Sequence, residues 1–220
     1  MSAPAAGSVP AANPAPSGGS SVRAIAAAVA GTVFEWFDFF LYGSLAVVFG
    51  RLFFPPGHET AGLLAALAVF GAGWVVRPLG ALVFGRIGDR VGRRRAFLIT
   101  IVLMGFSTVA IGLLPTYAQV GLLAPALLVT LRLLQGLAVG GEFGGAATYV
   151  AEHSAPHRRG LNTSLVMGTG TIGLLLALLA IAVTRGVLGE QAFEQWGWRL
   201  PFQASVLLLA LSVYMRLHLA

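Results

Sequence analysis

Gly85-Arg86-Ile87-Gly88-Asp89-Arg90-Val91-Gly92-Arg93-Arg94-Arg95 separates two long apolar stretches, residues 61–84 and 96–114, and the reading of this segment decides the fold. A stretch of about 20 apolar residues is long enough to cross a bilayer as a helix. Arginines gathered between two such stretches mark a short loop on the cytoplasmic side, where they anchor to the anionic inner leaflet. Gly88 and Gly92 are expected to permit a tight turn at the membrane surface. Asp89 would accept charge-assisted hydrogen bonds there, or sit at a helix N-terminus.

Working outward with the same ruler gives six spans, at residues 24–48, 61–84, 96–114, 121–147, 161–184 and 201–218. Composition agrees: 57% of the 220 residues are hydrophobic and 10% charged, with a mean hydropathy of +0.84, whereas soluble chains carry about 25% charged residues. Residues 1–21 are almost wholly Ala, Pro, Gly and Ser and are expected to form a disordered tail, leaving 22–220 as a single six-helix bundle. A cleaved signal peptide is rejected, because the first apolar stretch is too long and carries Glu35 and Asp38 at its middle.

All fourteen basic residues are arginine. Nine of them (Arg23, Arg86, Arg90, Arg93, Arg94, Arg95, Arg158, Arg159 and Arg216) fall on one side of the six spans, three (Arg51, Arg185 and Arg199) on the other, and Arg77 and Arg132 lie inside spans. The positive-inside rule then places both termini and the 85–95 and 150–160 loops in the cytoplasm. Trp196 and Trp198 are expected to form an interfacial aromatic anchor at the outer start of span 6. The net charge of +6 follows from this topology pattern and does not indicate a nucleic-acid partner.

Five charged residues fall where the hydrocarbon would be: Glu35, Asp38, Arg77, Arg132 and Glu142. An ionised group at a span centre costs about 2.5–3.5 kcal/mol on insertion scales, so such groups face a cavity or one another. Glu35, Asp38 and Tyr42 share one helical face by their spacing. Ion pairing that merely holds helices together is one reading of the five; a substrate or proton site is the other.

Several chemistries lose their residues. There is no cysteine and no lysine, hence no disulfide, no thiol nucleophile and no Walker lysine. Hydrolase signatures are lacking, and the four histidines share no ligand spacing with carboxylates, so neither an enzyme nor a metal or cofactor site is expected. Gly168, Gly170 and Gly173 match a dinucleotide fingerprint by letter but lie inside span 5, where small residues let helices approach closely. Asn162 is expected to cap the start of that helix.

The segment from Gly85 to Arg95 resembles the signature loop between the second and third helices of major facilitator superfamily transporters. Arg132-Leu133-Leu134-Gln135-Gly136, with Tyr149-Val150-Ala151-Glu152 downstream, is similar to that superfamily's fourth-helix motif, whose arginine is associated with proton coupling. Gly31-Thr32-Val33-Phe34-Glu35-Trp36-Phe37-Asp38-Phe39-Phe40-Leu41-Tyr42-Gly43, together with Trp196-Gly197-Trp198-Arg199-Leu200-Pro201-Phe202, resembles its bacterial metabolite:proton symporter subgroup.

The resemblance covers about residues 22–220 and implies an all-α integral membrane protein, with six transmembrane helices forming the N-terminal half of the twelve-helix fold. It implies proton-coupled symport of a small organic carboxylate or zwitterion across the inner membrane, by alternating access of a midplane site between two halves. The expected substrate-binding residues are Arg77, Arg132 and Tyr42. Proton coupling is expected of Asp38 first, then Glu35 and Glu142, and gating of the loop bearing Gly85, Gly88, Asp89, Arg90, Gly92 and Arg93. Because the chain stops after span 6, the C-terminal half is expected to be supplied separately or by a homodimer. The rival expectation is a truncated or split half that inserts in the membrane but does not transport alone.

Overall fold

The structure, a computed structural model, describes residues 18–140, 150–151 and 154–219. Its long elements are α1 (Gly18–Ser44), α2 (Ala46–Phe53), α3 (Glu59–Val75), α4 (Arg77–Val91), α5 (Arg93–Leu113), the single turn α6 (Tyr117–Val120), α7 (Leu123–Gly140), α8 (Arg159–Leu188), the single turn α9 (Glu190–Ala192) and α10 (Arg199–Leu219). Four continuous helical stretches are long and apolar enough to cross a membrane, at Glu59–Val91, Arg95–Leu113, Leu123–Gly140 and Pro156–Leu188. Two bent pairs bring the number to six: Val29–Ser44 with Ala46–Phe53, and Glu190–Gly197 with Arg199–Met215. Of the tail expected over residues 1–21, residues 1–17 lie outside the described residues, and residues 18–21 are already helical, since α1 begins at Gly18.

The first span is not the straight helix expected over 24–48. It bends by 61° between Ser44 and Ala46, where the Leu45 amide reaches back only three residues, to the Tyr42 carbonyl. Contact between α2 and α3 explains the bend: a Cβ built on Gly62 would lie 2.6 Å from the Gly50 carbonyl oxygen. The two backbones thus touch, and α2 has to leave the α1 axis to lie against α3.

The loop after span 2 also differs from expectation. Residues up to Val91 continue α4, so Gly88 is a buried helical residue and Asp89 lies in the last helical turn rather than at a helix N-terminus. Only Gly92 makes the turn, at φ +93, a conformation that costs little without a Cβ. Asn162 is likewise not the cap of α8, which starts at Arg159; its amide nitrogen instead donates to the Ser154 hydroxyl at 2.9 Å.

In the bundle α1 packs against α8 and α10, α10 also packs against α5, and α7 packs against α3, α4 and α5. Since lipid is as apolar as leucine, close backbone approach takes over much of what hydrophobic burial does in water. Leu79, Leu82, Leu179, Val187 and Leu207 accordingly point out of the bundle, while glycines line its seams. A Cβ on Gly136 would sit 2.0 Å from the Gly73 carbonyl oxygen, one on Gly140 2.0 Å from that of Arg77, and one on Gly80 2.0 Å from that of Leu137. Along α8, Gly173 admits α1 in the same way, its Cβ position lying 2.5 Å from the Trp36 Cβ.

An aromatic cluster closes the end of the bundle where both bent spans meet. Phe49 packs edge-on against Trp198 with centroids 5.4 Å apart, and Phe53 does so at 5.7 Å. Trp198 is therefore fully buried, not the interfacial anchor expected of it, whereas Trp196 is 47% exposed. The reason is the five-residue π-turn Phe193–Gly197, which rotates Trp198 inward against Phe202.

Candidate substrate and proton site

Asp38 stands on α1, 3% exposed, and its carboxylate is held by three side chains from two other helices. The Arg132 Nη1 of α7 donates to Oδ2 at 3.0 Å. The Gln135 Nε2, one turn further along α7, donates to Oδ1 at 2.9 Å, and so does the Thr108 hydroxyl of α5 at 2.8 Å. The three are tied to one another as well, because Arg132 Nη1 donates to Gln135 Oε1 at 2.6 Å and Gln135 Nε2 lies 2.9 Å from the Thr108 oxygen. Taking a carboxylate and a guanidinium out of water costs several kcal/mol per ion, and a network this complete is what offsets it.

Aromatic faces hold the arginines. The Arg132 guanidinium lies 3.9 Å above the Tyr42 ring, and the Arg77 guanidinium 3.9 Å from the Trp74 ring centroid. Stacking fixes the plane of each guanidinium and leaves its N–H edge for hydrogen bonds. The Arg132 edge is engaged by Asp38 and Gln135. Arg77 differs: its buried Nε has no hydrogen-bond partner.

A small cleft, partly open at the surface, is lined by Glu35, Asp38, Arg77, Arg132, Gln135 and aromatic residues including Phe70 and Trp74. The structure thus brings Glu35, Asp38, Arg77 and Arg132 to one cleft. Tyr42 does not line it: the side chain is fully buried, with its hydroxyl donating to the Ala66 carbonyl at 3.2 Å. Glu142 lies outside the described residues. At the far end of α4 the side chains of Asp89 and Arg90 are exposed, and a Cβ on Gly85 or Gly92 would meet nothing within 4 Å; the Arg93 side chain lies outside the described residues.

Two members of the Asp38 network, Thr108 and Gln135, are not singled out by the sequence reading. Gln135 sits inside the quoted fourth-helix motif, so a polar residue one turn from an intramembrane arginine was the available signal. Thr108 offered only its polarity in an apolar run.

The model of the sugar (and other) transporter family matches residues 23–219. The chain belongs to that family. This family is part of the major facilitator superfamily, and the chain corresponds to the N-terminal half of its fold, a multi-pass membrane protein rather than an enzyme. The chain is 41% identical over 198 residues to the alpha-ketoglutarate permease of Escherichia coli, a match covering 90% of this chain and 46% of the relative. It is 43% identical to that organism's shikimate transporter, over 88% of this chain and 44% of the relative. With the proline/betaine transporter of Salmonella typhimurium it shares 41% identity, over 88% of this chain and 39% of the relative. The chain therefore spans less than half the length of these curated relatives.

Among solved structures of the family's fold, the proton:xylose symporter bound to 6-bromo-6-deoxy-D-glucose superposes with a TM-score of 0.76 at 18% identity, covering 90% of this chain and 44% of that one. The partially occluded inward-open conformation of the Escherichia coli xylose transporter also gives 0.76, at 19% identity over 90% of this chain and 49% of that one.

Proposed function

We propose that the chain is the N-terminal half of a proton-coupled symporter carrying a small organic carboxylate or zwitterion across the bacterial inner membrane by alternating access. The observation that carries this reading is the buried Asp38–Arg132 pair at the wall of a cleft, beside a second arginine, Arg77, whose Nε lacks a partner. The names of the curated relatives, a permease of alpha-ketoglutarate and transporters of shikimate and of proline or betaine, support the substrate class.

The coupling follows from charge. Arg77 takes the substrate carboxylate as a fork that is always charged. While Asp38 is ionised it occupies Arg132 Nη1; a proton on Asp38 weakens that hold and frees Arg132 to share the substrate's charge. Proton and anion thus favour each other's binding, which is what symport requires. Glu35 is a second proton carrier, Tyr42 is the platform beneath Arg132, and the exposed end of α4 at Asp89 and Arg90, with the turn at Gly92 and Arg93, latches against a C-terminal half on the cytoplasmic side. That second half supplies the other wall of the cavity.

The test is reconstitution in vesicles with and without a matching C-terminal half, under an imposed inward proton gradient, following radiolabelled ketoglutarate, proline and betaine. Uptake of one of them is expected only with both halves and the gradient. Saturable proton-dependent uptake by this chain alone would overturn the two-half reading, and gradient-independent uptake would overturn coupling.

The proposed orientation has its own check. A topology reporter at Val91 or after Ala220 is expected to report cytoplasm and one at Gly57, in the loop between α2 and α3, the opposite side. A cytoplasmic signal at Gly57 would break the six-span arrangement.

A further inference from the structure

We infer that the Thr108 hydroxyl is a two-position switch that keeps Asp38 hydrogen-bonded in both of its protonation states, and that the Met104 carbonyl is the switch's second contact. The inference rests on the reading of Asp38 as the proton carrier. Thr108 has a single hydroxyl proton, and its oxygen lies within reach of two acceptors: Asp38 Oδ1 at 2.8 Å and the Met104 carbonyl, one helical turn back, at 3.0 Å. Only one can be served at a time.

With Asp38 ionised, the carboxylate is an acceptor only and draws on three donors: Thr108, Gln135 and Arg132. Protonation from water in the cleft turns one oxygen into a donor, and that new O–H needs an acceptor in a buried place. Arg132 has none to offer. The Gln135 oxygen is held by Arg132, and flipping that amide toward Asp38 would take it off the guanidinium. Thr108 solves the problem if its proton swings to Met104: its oxygen then accepts from Asp38 while still accepting from Gln135 Nε2, 2.9 Å away. When the proton leaves Asp38 for water, the hydroxyl swings back. No buried polar group is stranded in either state, and stranding one is what makes protonation of interior groups costly.

The charged groups facing Asp38 are the same in both positions: Arg132 from α7, Arg77 from α4, and Glu35 from its own helix. Tyr42 is the nearby ionisable residue. The charged residues of α5, α8 and α10 lie near the ends of those helices, so the hydroxyl swing is not driven by a neighbouring charge on them.

The swing has a spectroscopic signature independent of transport. The chain contains four methionines, so carbonyl-13C-methionine isolates few amide bands, and Met104→Leu assigns the one that matters. Infrared pH titration of the purified chain in lipid vesicles is expected to show a protonated carboxyl band that Asp38→Asn removes. The Met104 carbonyl band should move to lower frequency with the same midpoint, as it gains the Thr108 hydrogen bond.

In Thr108→Val, and in the smaller Thr108→Ala should valine disturb the helix seam, the Met104 shift should vanish while the Asp38 band still titrates, now at higher frequency for want of an acceptor. Thr108→Ser should restore both. A Met104 band that stays fixed while the Asp38 band titrates would overturn the switch and leave the proton carrier standing. The lack of any Asp38-dependent carboxyl band would overturn both.

Discussion

Asp38→Asn, in a transporter carrying this half, is expected to abolish proton-driven accumulation of substrate while leaving exchange of labelled for unlabelled substrate measurable. Asparagine keeps the shape of aspartate and can still accept from Arg132, so the helices stay together, but the side chain never ionises. Arg132 is then permanently in the state that wild type reaches only after protonation. Binding no longer waits for a proton, so a gradient does no work on the substrate, and internal and external concentrations equalise. Uptake into vesicles with and without an imposed gradient, beside counterflow in the same vesicles, measures both quantities. Accumulation at the wild-type ratio would remove Asp38 from the coupling step, and loss of exchange together with accumulation would show that it holds the substrate instead.

The second large effect is on stability. Arg132→Leu deletes the cation and leaves the Asp38 carboxylate buried with Thr108 and Gln135 as its hydrogen-bond donors. Removing one partner of a buried pair costs about 3–5 kcal/mol, a large share of a typical domain's margin. The double variant Asp38→Asn with Arg132→Leu, which buries no lone charge, should recover most of that cost. Thermal unfolding of the wild type, the two single variants and the double variant in detergent closes the double-mutant cycle. Strictly additive losses would mean that the two side chains do not support each other.

How far these conclusions were readable in the chain depends on which force decides each feature. The spans were legible because the thickness of hydrocarbon sets a length that Leu, Val and Ala either fill or do not. The intramembrane charges were legible because lipid makes each of them anomalous in sequence, and Asp38, Glu35, Arg77 and Arg132 do line one cleft. Thr108 was not, since a hydroxyl in an apolar helix can satisfy itself on its own backbone and so leaves no trace in the pattern.

The bend after Ser44 was hidden for another reason. Nothing within residues 24–48 demands it; Gly62, on a different helix, does. Trp198 misled because its burial comes from a π-turn that moves it off the surface, and turn geometry of that kind is not encoded in hydropathy. Gly88 misled because a glycine inside a helix and a glycine at a turn look alike until the helix end is known.

The seam between α7 and the α3–α4 pair bears on inheritance. Every missense change at a glycine adds a Cβ, and at Gly80, Gly136 and Gly140 that atom would arrive 2.0 Å from a main-chain oxygen. These three positions therefore have no mild missense allele. The smallest available change, to alanine, already forces two backbones apart, and a lineage can vary the seam only by altering both of its sides together.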